Sequence, residues 1–283
     1  MTTDTLVLDR DAYAALTEAA ALQDRSDWGV LTLGDADRVD FLQRMTTNHI
    51  AALVPGQAAL TILTSPVARM EFVFTVLHRG EELWLLPAAG EAAALAAKLR
   101  SQIFFMDKVT VQDVSPRLAR LRLMGPQGEE TLAKADLPRP PQNDEFVEAD
   151  GITVLRQEKF DIPGWELIVD AERRGSVVQA LVEAGAVLLE EDAAYHTRRV
   201  ELGRPLPAAE LIQDYNPLEA GMAWACAENK GCYTGQEIIA RQRTYDKVTK
   251  GLVQLRSEQH LPPGAPLIAE GRTVGAVTSS AYS

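Results

Sequence analysis

Met70-Glu71-Phe72-Val73-Phe74-Thr75-Val76-Leu77 alternates with a period of two. Such a period places Met70, Phe72, Phe74 and Val76 on one face of a strand. Working outward, Leu60 to Leu63 and Leu83 to Leu86 read as strands beside it, with Pro55-Gly56 as a turn before them. Further upstream, Val30, Leu31 and Leu33 form a short strand, followed by Asp35 or Asp37 as an N-cap and a helix with Val39, Leu42 and Met45 as its apolar face. Downstream, a helix from Glu91 carries Leu95, Leu99 and Ile103 at spacing four, and Val109 to Val114 closes the set as a strand. The order is βα, two or three strands, then αβ.

That order recurs. Leu118 to Met124 is a strand, Gly125-Pro126 opens a short helix through Leu132, and Ile152 to Leu155 and Trp165 to Val169 are strands. A helix over Glu172 to Ala184, with Val178, Leu181 and Val182 inward, leads to a strand at Val187 to Leu189. The polar stretch 138–144 falls inside this second unit and reads as a loop. The fold class is α+β, with two units of the split-βαβ, ferredoxin-like type. A short helix through Ala194 and Val200 follows, and then three short strands, Leu252 to Leu255, Pro266 to Ala269 and Val274 to Thr278. Three strands cannot close a barrel, so the tail reads as a truncated C-terminal β-barrel domain. The expected divisions are residues 1–115 for the first lobe, 116–248 for the second lobe with a motif segment, and 249–283 for the partial barrel.

Composition narrows the function. Twenty-eight Lys+Arg against 40 Asp+Glu give a net charge of −12, which argues against direct nucleic-acid binding. Two cysteines, Cys226 and Cys232, do not make a disulfide scaffold. The N-terminus lacks a secretory pattern and no apolar run approaches the ~18 to 20 residues of a membrane span, so no membrane association and a cytoplasmic location are expected.

The densest cluster of unusual residues is Lys230-Gly231-Cys232-Tyr233-Thr234-Gly235-Gln236-Glu237. Thr234 with Glu237 three residues on satisfies a capping-box pattern and predicts a helix from Gly235. Cys232 stands just before that helix, where the positive end of the dipole and the Lys230 ammonium both favour a thiolate. Two readings stand: a reactive thiol, or a small buried hydrophobe. Cys226, between alanines, reads as packing. No spacing of these cysteines with His49, His78, His196 or His260 fits a metal site. From Lys230 to Arg256, six basic residues face two acidic ones, a local +4 suited to a small anion. Upstream, Glu201 and Glu219 are carboxylates able to accept two parallel hydrogen bonds from a planar amidine-like edge such as a pterin's.

The Lys230 to Glu237 segment resembles the K-G-C-[FY]-x-G-Q-E signature of the YgfZ family, folate-binding relatives of the glycine-cleavage T-protein, an aminomethyltransferase. Arg199-Val200-Glu201-Leu202-Gly203 is similar to the family's R-x-E-x-G segment, and Pro217-Leu218-Glu219-Ala220-Gly221 to its P-x-E-x-G segment. The resemblance implies a three-lobed, T-protein-like arrangement around a central channel for tetrahydrofolate. It implies a role in assembling or maintaining iron–sulfur cluster enzymes, one of which thiolates tRNA, and makes folate and those enzymes the expected partners. Carried onto this sequence, Cys232 is the reactive thiol with Lys230 beside it, Glu201 faces the pterin with Glu219 as second candidate, Tyr233 and Gln236 line the site, and Arg241, Arg243 or Lys247 meets the folate's glutamate tail.

T-proteins hold folate for methylene transfer with an aspartate in a G-x-I-L-D-D stretch, and the corresponding run here is Ala68-Arg69-Met70-Glu71-Phe72-Val73. Glu71 is displaced by one or two positions, and a one-residue shift in a strand turns a side chain to the opposite face. The resemblance therefore implies a folate-binding accessory protein, with folate-dependent aminomethyl transfer as the alternative.

Overall fold

The computed structural model describes residues 9–283, so the N-terminus read above for a secretory pattern lies outside the described residues. The chain opens with helix α1 (Arg10–Glu18), capped by the Asp9 carboxylate accepting from the Asp11 and Ala12 amides, and strand β1 (Ala21–Asp24). There follow β2 (Leu31–Gly34), α2 (Arg38–Met45), β3 (Ala58–Thr64), β4 (Met70–His78), β5 (Leu83–Leu86), α3 (Ala92–Arg100) and β6 (Thr110–Asp113). The last five strands named form an antiparallel sheet in the order β3-β4-β5-β2-β6, with α2 and α3 on one face. Phe72, Phe74 and Val76 pack under those helices as the alternation of β4 predicts. Met70 does not. A register shift between Leu63 and Thr64 turns it to the other face, against Leu60, Ile62, Val73 and Met222.

The second sheet comprises β7 (Leu118–Met124), β8 (Phe146–Ala149), β9 (Ile152–Gln157), β10 (Gly164–Asp170) and β11 (Val187–Leu188), together with β1. Its order is β11-β1-β7-β10-β9-β8, and helices α4 (Gly128–Lys134) and α5 (Arg174–Glu183) are threaded between its strands in sequence. Residues 21–24 thus pair in the second sheet although they fall within the span expected for the first lobe. Neither sheet has the four strands of a minimal split-βαβ unit: the first gains β3 at its edge, and the second gains β1 between β7 and β11 and β8 at its edge. On α5 Leu181 is buried with Val178 packed beside it as expected, Val177 joins them inward, and Val182 is exposed instead.

The sheets are joined by apolar contacts around Val30, Leu77, Leu86, Leu155 and Ile168 and by a buried ionic cluster. Arg25 meets Asp161 at 2.7 Å, Arg120 meets Glu166 at 2.7 Å, and Arg120 Nη1 donates to the carbonyls of Gly29 and Pro87 in the first lobe. Arg122, fully buried, donates to the carbonyls of Gln157 and Ile162. Breaking one partner of such a cluster leaves a buried charge uncompensated, which typically costs ~3 to 5 kcal/mol.

After β11 come α6 (Ala193–Glu201), an irregular segment, α7 (Gln236–Thr244), and the strands β12 (Pro266–Ala269) and β13 (Arg272–Ala276). Leu252 to Leu255 is not a strand, so residues 249–283 carry an antiparallel pair and not the three strands expected of a partial barrel. Ser279 ties this tail to the body: its hydroxyl accepts from Arg199 Nη2 and donates to Glu210 Oε1, both at 2.5 Å.

Candidate functional site

Three pieces of chain converge on the motif segment: the end of α2 with the loop after it, the turn before β4, and α7. Gly235 has φ +83°, and a Cβ there would stand 2.8 Å from the Ser65 carbonyl oxygen and 3.0 Å from Ala68 Cα. Only glycine permits that approach. Ala68, opposite, holds φ +61° with an ordinary side chain and is fully buried. The capping box does not form. The Thr234 carbonyl accepts from Thr64 Oγ1 at 2.5 Å, Gly235 occupies the cap, and the helix starts at Gln236 without a side-chain cap.

Lys230 Nζ donates to three backbone carbonyls, those of Gln43 (2.6 Å), Thr46 and Asn48 (2.8 Å). These lie at the C-terminal end of α2, where a cation is favoured by the helix dipole and by unsatisfied carbonyls. Burial pushes the lysine down to about 8, while the carbonyls solvate its charge. The expected assignment of Lys230 as activator of Cys232 is therefore replaced: its donors are directed to the first lobe, and it anchors the loop. Tyr233 is buried with Ala68, Cys226 and Ile239, and burial, reinforced by Cys226, pushes its hydroxyl up to about 12. Between these two anchored residues, Cys232 is exposed. Cys226 is buried, and burial pushes its thiol up to about 11. Of the two readings for Cys232, the buried hydrophobe is excluded.

The carboxylates separate as clearly. Glu201, placed first against the pterin, accepts from the Tyr13 hydroxyl (2.7 and 2.9 Å), from Arg198 and from Ser283. Burial alone would raise its carboxyl, but the bonds from Ser283, Tyr13 and Arg198 hold it below the usual range. It clasps α1, α6 and the tail together. Glu219 lies nearer the motif: its Oε2 accepts from Arg69 Nη1 (3.0 Å), beside the turn that Gly235 touches, and from the Asn216 amide (2.9 Å). Asn216 in turn donates to Gln242 on α7 at 3.0 Å. Glu219 Oε1 makes no hydrogen bond among the described residues, which leaves one buried-edge acceptor uncommitted. Glu201 is thus taken up by contacts within the protein, while Glu219 keeps an oxygen without a partner among the described residues. Asn216, beside the P-x-E-x-G segment, and Gln242, which the sequence reading passed over, carry the link; an Asn-Pro turn facing a helix residue was the available signal.

Beginning at Ala220, the residue after Glu219, a cavity of about 290 Å³ is walled by Phe160, Met222, Trp224 and Leu252. Its volume is ample for a bicyclic ring. The basic strip is less available than its sum of +4. Lys230 is committed to carbonyls, Arg241 pairs with Glu237 at 2.7 Å, and Arg243 with Glu228 at 3.0 Å and the Ala223 carbonyl. Lys247 forms no ion pair among the described residues and lies over the Tyr245 ring. Gln236, at the first turn of α7, makes no side-chain hydrogen bond among them. Glu71 faces Lys98 on α3 at 2.7 Å, so the carboxylate beside the missing aspartate is directed to the helical side of the first sheet. No group of three or more metal-ligating side chains occurs among the described residues, nor any helix long and apolar enough to cross a membrane.

Comparison with known proteins places this geometry. The GCVT N-terminal domain model matches residues 8–230. An aminomethyltransferase of Geobacillus kaustophilus is 30% identical over 288 residues, covering 97% of this chain and 78% of its own. A chloroplastic protein of Arabidopsis thaliana, provisionally named a transferase, is 29% identical over 277 residues, covering 96% of this chain; the chain spans 64% of that relative's length. Among solved structures, the glycine cleavage system aminomethyltransferase T of Bartonella henselae superposes with a TM-score of 0.82 at 21% identity, over 95% of this chain and 76% of its own. At that identity the likeness establishes the mixed α+β fold.

Proposed function

Because this chain belongs to the GCVT N-terminal domain family, we propose that it binds a tetrahydrofolate beside Glu219 and uses Cys232 as its reactive group, in support of iron–sulfur enzymes. The observation that carries the reading is the placement of Cys232: exposed, on a short loop held on one side by Lys230 and on the other by buried Tyr233. Such a thiol is presented to a partner without being free to retreat. Glu219 supports the folate half, since its uncommitted oxygen can accept a hydrogen bond from a pterin edge and the cavity that begins at the next residue offers aromatic and sulfur-containing walls. Lys247 is the available cation for the glutamate tail. When bound, tetrahydrofolate supplies a nitrogen pair able to carry a one-carbon unit; Glu219 would orient it, and Phe160, Met222 and Trp224 would shield it from water. The iron–sulfur role and membership of the YgfZ branch rest on the Lys230 to Glu237 signature. A cytoplasmic location is proposed with them.

Folate-dependent aminomethyl transfer is the second reading, favoured by the names of the Geobacillus and Bartonella relatives. The ion pair of Glu71 with Lys98 weighs against it, because it leaves that carboxylate off the side of the strand where Met70 meets Met222. An assay of methylene transfer from a protein-bound aminomethyl donor to tetrahydrofolate separates the two. The accessory reading predicts no turnover together with loss of cluster-enzyme activity in cells carrying Cys232→Ser; turnover that survives Cys232→Ser contradicts it.

A further inference from the structure

A crevice of about 510 Å³ between the two sheets shares no residue with the motif loop or with the cavity that begins at Ala220. Its floor is apolar, formed by Trp84 from the first sheet and by Leu118 and Ile168 from the second, continuous with the core that joins the sheets. One side is closed by Arg79. Its guanidinium lies 3.7 Å from the Trp84 ring centroid, grips Glu148 through Nε and Nη2 (2.5 and 2.8 Å) and reaches Glu82 at 2.8 Å. Trp84 Nε1 donates to the same Glu82 at 2.8 Å, so the indole is held in place from above and at its edge.

The other charges in this mouth are not used. Arg117 and Asp170, which lie beside each other because Leu118 pairs with Asp170 in the sheet, form neither an ion pair nor a side-chain hydrogen bond among the described residues. Asp150, on the same rim, is likewise unpaired among them. A pure anion would meet two carboxylates there and a pure cation would meet Arg117, whereas a ligand carrying both charges satisfies both. The volume exceeds that of a single amino-acid side chain, and the floor would bury an apolar one.

We propose that this crevice binds a free α-amino acid with an apolar side chain, its carboxylate on Arg117, its ammonium on Asp170 and its side chain on Trp84, Leu118 and Ile168. The site is independent of the folate reading.

The test is titration of the full chain with L-phenylalanine, followed by fluorescence excited in the indole band, with Trp84→Phe assigning the signal. Saturable binding with Kd of about 1 mM or tighter is expected. N-acetyl-L-phenylalanine and L-phenylalanine methyl ester, which each lack one charge, are expected to bind about tenfold more weakly, as are Arg117→Ala and Asp170→Ala. Both residues are exposed, so these variants keep the fold, as thermal melting verifies. Cys232→Ser is expected to leave the titration unchanged. Absence of saturable binding overturns the proposal, as does equal binding of the three probes or an unchanged Kd in both charge variants.

Discussion

Cys226 and Cys232 stand six residues apart on one segment and live in different surroundings. Cys226 is packed with Ala68, Tyr233 and Ile239, and burial pushes its thiol up to about 11. Cys232 emerges between two residues that are both committed to the protein, Lys230 to three carbonyls and Tyr233 to the core. The difference teaches that this protein makes a thiol available by fixing its neighbours. The glutamates repeat the contrast: Glu201 is consumed by a structural clasp, and Glu219 retains an oxygen.

The contrast is broken most severely by chemistry on the thiols. Iodoacetamide is expected to alkylate Cys232 at least about 100-fold faster than Cys226 in the native protein, because Cys226 reacts only through local opening. Mass spectrometry of the two peptides over time reads the ratio, and comparable rates would remove the distinction. Next in size is the pair of glycines around Cys232. Gly235→Ala places a Cβ 2.8 Å from the Ser65 oxygen at φ +83°, and a loss of about 2 kcal/mol or more in urea unfolding is expected. Gly231→Ala, which meets nothing within 4 Å, is expected to cost less than about 0.5 kcal/mol. Equal losses would show that the turn is not held by the Ser65 to Ala68 contact.

A pH profile sharpens the role of Lys230. Its folded value of about 8 lies below its ordinary 10.5, so over that interval the unfolded chain binds more protons. Stability is then expected to rise with pH from about 8 to 10.5 relative to Lys230→Met, which lacks the titrating group. Urea midpoints at several pH values for both proteins give the difference; a fall over that window would mean that the three carbonyls raise the lysine's value instead.

Much of the fold was legible because it is written in periodicity. The alternation of β4 and the spacing-four residues Leu95 and Leu99 placed the first sheet and its helix. β1 was not legible: four residues beside an alanine-rich helix carry little pattern, and their partners lie about 100 residues and more downstream. β8, just after the polar stretch 138–144, was not legible because an edge strand need bury only Phe146. At the site, the burial of Cys226 followed from its alanine neighbours, whereas the neighbours of Cys232 left both an exposed reactive thiol and a buried hydrophobe open. The destinations of Lys230 and Glu201 did not. Backbone carbonyls of α2 and a hydroxyl from Tyr13 are contacts between distant segments, and residue type alone does not announce them.

The central claim is that Glu219, and not Glu201, holds a tetrahydrofolate in the protein that presents Cys232. Calorimetric titration of tetrahydrofolate into the wild type, Glu219→Gln and Glu201→Gln tests it directly. Saturable binding is expected in the wild type, weakened about tenfold or more in Glu219→Gln, where a charge-assisted hydrogen bond is lost, and changed less than about twofold in Glu201→Gln. No binding by a folded wild type, or a loss confined to Glu201→Gln, would contradict it.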